Sequence, residues 1–144
     1  MMIAIFMLDD RKGMMFNKRR QSQDSQVIRK ILDLAKGKII RMSPYTASMF
    51  AEQKSEAKII SSIHFYKKAA ESDFCIFEES YPIDIDQVNK LIIFWWNRNY
   101  PGDVFWNVDL KNGTWFRQMT EEFPGTSHEK ITMEIYIKGI KDAK

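Results

Sequence analysis

The chain has 144 residues, a length that suits one domain with one hydrophobic core, expected over 1–144. At 44% hydrophobic and 28% charged residues it is too apolar to be disordered, and a net charge of +3 permits an anionic ligand without demanding nucleic acid. The lone Cys75 excludes an internal disulfide, no Cys/His cluster suggests zinc, and no run approaches the ~20 apolar residues of a membrane span, so a cytoplasmic protein with no membrane partner is expected.

Met2 to Leu8 is an unbroken apolar run, read as a strand buried on both faces rather than as a signal peptide. Asp9 to Gln21 is polar around Gly13 and reads as a loop. Val27, Ile28, Ile31, Leu32 and Ala35 recur at helical spacing, with Ser22 or Asp24 as cap and Gly37 as stop. Lys38 to Met42 is a second strand, Tyr45 to Gln53 a short helix with Met49 and Phe50 inward, and Ala57 to Ile60 a third strand. Ile63, Tyr66 and Ala70 mark a possible helix, Phe74 to Phe77 a fourth strand that buries Cys75, and Asp84 to Asn89 a further helix capped by Asp84. Leu91 to Trp96 is a fifth strand, in which Trp95 and Trp96 must face opposite sides of the sheet. Thr114 to Phe123 and Lys130 to Lys138 alternate as strands and flank Pro124 to His128, a hairpin signal. Strand–helix alternation argues a mostly parallel sheet, and the end adds an antiparallel hairpin.

Among chemical candidates, Arg11, Lys12, Lys18, Arg19 and Arg20 form a basic cluster in the polar loop. It could hold an anion, although a solvated charge run is the plainer reading. Phe94 to Tyr100 mixes aromatics with Arg98, but its place in a central strand points to core packing. His64 and His128 lack metal spacing, Asp84 and Asp86 lack a calcium-loop pattern, and no Ser-His-Asp arrangement, P-loop or Gly-x-Gly-x-x-Gly motif is legible.

The order of elements resembles dihydrofolate reductase. Ile3-Ala-Ile-Phe6 is similar to the family's opening strand, and Asp9 to Gly13 to its turn into the mobile loop. Lys38 to Thr46 resembles the strand that runs into Gly-Arg-x-Thr. Ile59-Ile-Ser61-Ser62 resembles the strand at the cofactor's adenosine end, and Gly102-Asp-Val-Phe105 resembles Gly-Asp-x-Phe. The resemblance implies an α/β fold of three layers: a mostly parallel central sheet, a C-terminal antiparallel hairpin and flanking helices.

It also implies a chemistry that can be checked residue by residue. The family reduces dihydrofolate with hydride from NADPH, and its pterin pocket needs an acid at the start of the first helix. A gap-free alignment puts Val27 there; Asp24 is the nearest acid, and an ordinary helix cap is its plainer role. Cofactor contacts would fall on Thr46, Ser61, Ser62 and Tyr81. However, Pro44 replaces the cradle's arginine, and Phe77 with Glu78 or Glu79 replaces its glycine pair, which obstructs and repels a diphosphate. Lys54 or Lys58 could offer charge to a folate tail, and Arg19 and Arg20 could hold an anion. The family's threonine in the fifth strand falls near Phe94 or Trp95, so the pocket is expected to be partly filled. The expectation is therefore a diverged dihydrofolate reductase-like protein holding a small ligand or a partner in the old cleft. The alternatives are an active reductase, with NADPH as cofactor only in that case, and a polyanion-binding module; nucleic acid is the less favoured partner.

Overall fold

The computed structural model describes residues 2–139. Among the described residues there are ten strands: β1 (Met2–Leu8), β2 (Gly13–Phe16), β3 (Arg19–Arg20), β4 (Ile39–Met42), β5 (Lys58–Ser61), β6 (Phe74–Phe77), β7 (Val88–Trp95), β8 (Val104–Phe105), β9 (Trp115–Phe123) and β10 (Ile131–Lys138). Two α-helices accompany them, α1 (Ser25–Leu34) and α2 (Pro44–Ala47). Seven strands form the central sheet in the order β5-β4-β6-β1-β7-β10-β9. The pairs from β5 to β7 are parallel, while β10 is antiparallel to both β7 and β9. The mostly parallel sheet with a closing antiparallel hairpin is thus present as expected.

β1 lies between two parallel neighbours and is buried along its whole length, which is why its sequence is apolar without alternation. Ile3, Ile5 and Met7 face α1, and Met2, Ala4, Phe6 and Leu8 face the opposite side. α1 is capped by Asp24, whose side chain accepts from Gln26 N, and it lays Val27, Ile28, Ile31 and Leu32 on the sheet. Each such side chain, fully buried, contributes about 1.5–3 kcal/mol relative to exposure, enough to hold a ten-residue helix that would be marginal alone. Gly37, at φ +75°, takes the left-handed turn after the helix.

The opposite face is covered largely by coil. Phe6 stacks on Trp106 at 4.3 Å, and Phe65, Tyr66, Phe77 and Tyr81 form an aromatic cluster with centroids 5.2–6.0 Å apart. Here three sequence expectations give way. The segment around Ile63, Tyr66 and Ala70 is a series of turns: Ile63 is 71% exposed and Phe65 is the buried anchor. Tyr45 to Gln53 is helical only through Ala47, and Asp84 caps a single 3-10 turn, Ile85–Gln87, before β7 begins. Short apolar runs do not distinguish a helix from a packed loop, because burial alone satisfies both.

The polar loop after β1 is also more ordered than its composition suggests. β2 and β3 form a hairpin closed by Asn17 and Lys18, both at positive φ, and β8 joins β2 on its other edge. Positive φ at both central residues marks the tight turn that matches strand twist. Asp103 Oδ2 accepts from Asn17 N at 3.0 Å and ties the turn to the segment entering β8.

Truncating Ile5, fully buried in β1, to alanine should cost about 2–5 kcal/mol, whereas Ile63→Ala should stay within about 0.5 kcal/mol. Urea unfolding of the two variants checks both the sheet centre and the assignment of Ile63 to an exposed turn.

Candidate functional site

In an open parallel sheet, ligands bind beyond the carboxyl ends of the strands. Here that edge is built from the residues following β1, β4, β6 and β7, and the segment Arg19 to Asp24 is bonded along it. Asp9, just past β1, is fully buried. Its Oδ1 accepts from Arg11 N (3.0 Å) and Gly13 N (2.7 Å), and its Oδ2 from Tyr100 N (3.1 Å) and Gln21 Nε2 (3.2 Å). A Cβ on Gly13 would sit 2.8 Å from Asp9 Oδ1, so only glycine lets the backbone approach this carboxylate.

At one end of the segment, Arg20 meets Glu78. Glu78 follows β6 and is 5% exposed. Its two oxygens accept from Arg20 Nε at 2.8 Å and Arg20 Nη2 at 3.1 Å, a paired geometry suited to guanidinium. Thr46 Oγ1, at the start of α2, donates to Glu78 Oε1 at 2.9 Å. The Arg20 guanidinium also lies 4.2 Å from the Tyr45 ring centroid and bonds the Tyr45 carbonyl. Burial alone would lower the Arg20 pKa, but the Glu78 carboxylate outweighs it and raises the value. Successive residues at the end of β6 diverge: Phe77, its last residue, enters the aromatic cluster on the far face, and Glu78 turns toward α2.

At the other end, Asp24 and His128 come together. Asp24 is 3% exposed and His128 5%. Asp24 Oδ1 accepts from Gln26 N and Thr126 N, both at 2.9 Å; Oδ2 accepts from Ser127 N at 2.8 Å and His128 Nδ1 at 2.9 Å. Desolvation raises the pKa of a buried carboxyl, but these donors outweigh it and hold Asp24 below its ordinary value. In a neutral ring, the carboxylate at Nδ1 draws the proton to that nitrogen and leaves Nε2 to accept. Nε2 lies 3.0 Å from Ser22 Oγ and 3.0 Å from the Tyr100 hydroxyl. Trp96 stacks on the imidazole, with centroids 4.6 Å apart. Of the two positions named from sequence, Phe94 is fully buried on this face, whereas Trp95 faces the far side and donates Nε1–H to Glu134.

Of the residues singled out from sequence, the structure gathers Arg20 and Thr46 around Glu78 and places Asp24 on the same edge. Arg19 is exposed beside them. Ser61 and Ser62 are exposed at the end of β5, the sheet-edge strand. Tyr81 belongs to the far-face cluster, and its hydroxyl donates to Glu79 at 3.3 Å. Lys58 opens β5 at the amino end of the parallel strands, away from Asp24, and Lys54 is exposed in the loop before it. Sequence reading missed Asp9, Ser22 and His128 as partners, because 106 positions separate Ser22 from His128 and no spacing rule spans that distance. Among the described residues, no group of three or more His, Cys, Asp or Glu side chains could hold a metal.

Two predictions follow from these bonds. Because the Asp24 pKa is depressed on folding, its contribution is fully present above the ordinary value of 3.8 and is lost as pH falls through the folded value. Asp24→Asn should cost about 3 kcal/mol at neutral pH and flatten the acid limb of stability, read by unfolding at stepped pH. Glu78→Gln, which strands the Arg20 charge, should cost on the order of 3 kcal/mol, and adding Arg20→Met should restore part of it in a double-mutant cycle.

No family model matches the chain, and no curated protein matches it. Among solved structures, dihydrofolate reductase from Enterococcus faecalis, complexed with NADP(H) and RAB-propyl, superposes with a TM-score of 0.68 at 13% identity, covering 97% of each chain. The chain therefore has the dihydrofolate reductase fold.

Proposed function

We propose that this chain uses the dihydrofolate reductase fold for something other than NADPH-dependent reduction of dihydrofolate, and that its cleft edge receives a small anionic ligand. The observation that carries this reading is the buried Glu78 carboxylate, bonded by Thr46 and Arg20. Thr46 and the residues after β6 are the positions where the family resemblance puts the cofactor's phosphates.

The residues present do not fit NADPH. A diphosphate there would meet a carboxylate, and the Thr46 hydroxyl and Arg20 guanidinium are already spent on it. Phe77 and Glu78 carry side chains where close approach of backbone amides needs glycine. Asp24 is equally ill-suited as a proton donor to a pterin, since four donors saturate its oxygens and favour the ionised form.

An anionic ligand has a better-suited place alongside. A groove of about 390 Å³ is lined by Phe16, Asn17, Arg19, Arg20, Gln21 and Tyr100. No ion pair among the described residues uses Arg19, and Phe16 is 46% exposed. An uncommitted guanidinium beside an apolar ring and amide groups suits a small molecule with one charged end.

Calorimetric titration with NADPH should give no saturable heat, and NADPH oxidation with dihydrofolate should stay at the blank rate. Saturable binding together with turnover would overturn the reading.

A further inference from the structure

Ser22 Oγ, His128 Nε2, His128 Nδ1 and Asp24 Oδ2 form a continuous chain with links of 3.0 and 2.9 Å across the imidazole. This is the relation of nucleophile, general base and orienting carboxylate. We propose that Ser22, His128 and Asp24 form a hydrolytic triad that cleaves a carboxylic ester whose acyl part carries an anionic group. The anionic part of that statement rests on the groove reading above; the triad does not.

Several features distinguish this from a histidine that is merely satisfied in a core. The ring is fixed in plane by Trp96 and in tautomer by Asp24, so the accepting nitrogen has one direction. That direction leads outward, to the hydroxyls of two half-buried residues, Ser22 and Tyr100. Asp24 is deeply buried, and its remaining lone pairs are taken by the amides of Gln26, Thr126 and Ser127. A carboxylate so held stays charged and can stabilise an imidazolium formed beside it. The Tyr100 hydroxyl lies 3.4 Å from Ser22 Oγ and 3.0 Å from His128 Nε2. Gln21 and Tyr100 both line the groove, so it opens beside Ser22.

The chemistry balances with ester and water alone. Ser22 Oγ bonds to the ester carbonyl carbon as its proton passes to His128 Nε2, and the carbonyl oxygen takes the negative charge. Collapse breaks the carbon–oxygen bond to the leaving alcohol, which takes the proton from Nε2. Water then attacks the acyl-serine, giving its proton to Nε2, and Ser22 leaves with that proton. The products are a carboxylic acid, an alcohol and free enzyme; nothing is oxidised or reduced.

The test uses the full chain and a serine-directed fluorophosphonate, with the adduct located by peptide mass spectrometry. One adduct on Ser22 is expected, absent in Ser22→Ala and formed roughly 10²–10⁴-fold more slowly in His128→Gln. No adduct on Ser22 of the folded wild type, or an unchanged rate in a folded His128→Gln, would overturn the triad. If His128→Gln does not fold, Ser22→Cys replaces it. Cys75 is fully buried, with desolvation pushing its thiol up to about 12, so iodoacetamide alkylation at neutral pH reports on position 22. Alkylation of Ser22→Cys faster than that of free cysteine supports His128 as base, and a rate no faster overturns it. The groove is tested separately with p-nitrophenyl acetate against p-nitrophenyl hemisuccinate. The anionic ester should acylate Ser22 on the order of 10-fold faster, and Arg19→Glu should abolish the difference. Equal rates in the wild type would overturn the anionic substrate while leaving the triad standing.

Discussion

The buried carboxylate of Asp24 is the constraint on which the carboxyl edge of this molecule depends. A charge withdrawn from water is tolerable only if every lone pair finds a donor, and here the donors come from two distant stretches of chain. Gln26 supplies one from the first turn of α1; Thr126, Ser127 and His128 supply the rest from the β9–β10 turn. The helix start and the closing hairpin are thereby locked to each other. Gly125 shows how tight the lock is: a Cβ there would lie 2.5 Å from Asp24 Oδ2 and 2.8 Å from Ile131 Cδ1. Once α1 is placed, its apolar face covers one side of β1, and the segment Arg19 to Asp24 has no choice but to run along the strand ends.

That segment accounts for the polar character of the carboxyl edge. The carboxyl edge of a parallel sheet offers convergent loops and helix starts, which evolution usually leaves open for cofactors. Here the side chains of Arg20, Gln21 and Ser22 each reach a different part of the edge: Glu78, then Asp9 with the Pro101 carbonyl, then His128. Each bond is modest in net energy, and the ion pair gains little over an apolar substitute. Their joint effect is geometric. They hold a polar strap in one register, with Arg19, Arg20 and Gln21 lining a single groove.

Much of the scaffold was legible in the residues. The unbroken apolar run of β1, the 3.6-residue spacing of α1 and the alternation of Ile131, Met133, Ile135 and Ile137 each reflect one dominant force, burial on a defined face. The far face was harder to read. Phe65 and Tyr66 in turns and Tyr81 in coil are held by ring-to-ring packing, and such packing leaves no periodic trace. For the site, the replacement of the glycine pair was visible, and so was Asp24 as a cap. The direction of Glu78 was not, because it depends on Arg20 from 58 positions away. The Ser22–His128 contact was invisible for the same reason: a turn and a loop meet only after the sheet has closed.

The order in which that sheet closes has its own consequence. β10 lies between β7 and β9, so the strand that completes the sheet interior is also the last one described along the chain. Until residues 131–138 have left the ribosome, the flank of β7 that carries Leu91, Ile92, Ile93 and Phe94 has no partner. An unpaired apolar edge invites pairing with other chains. Nascent or truncated forms that lack this strand therefore carry an unpaired apolar edge on β7.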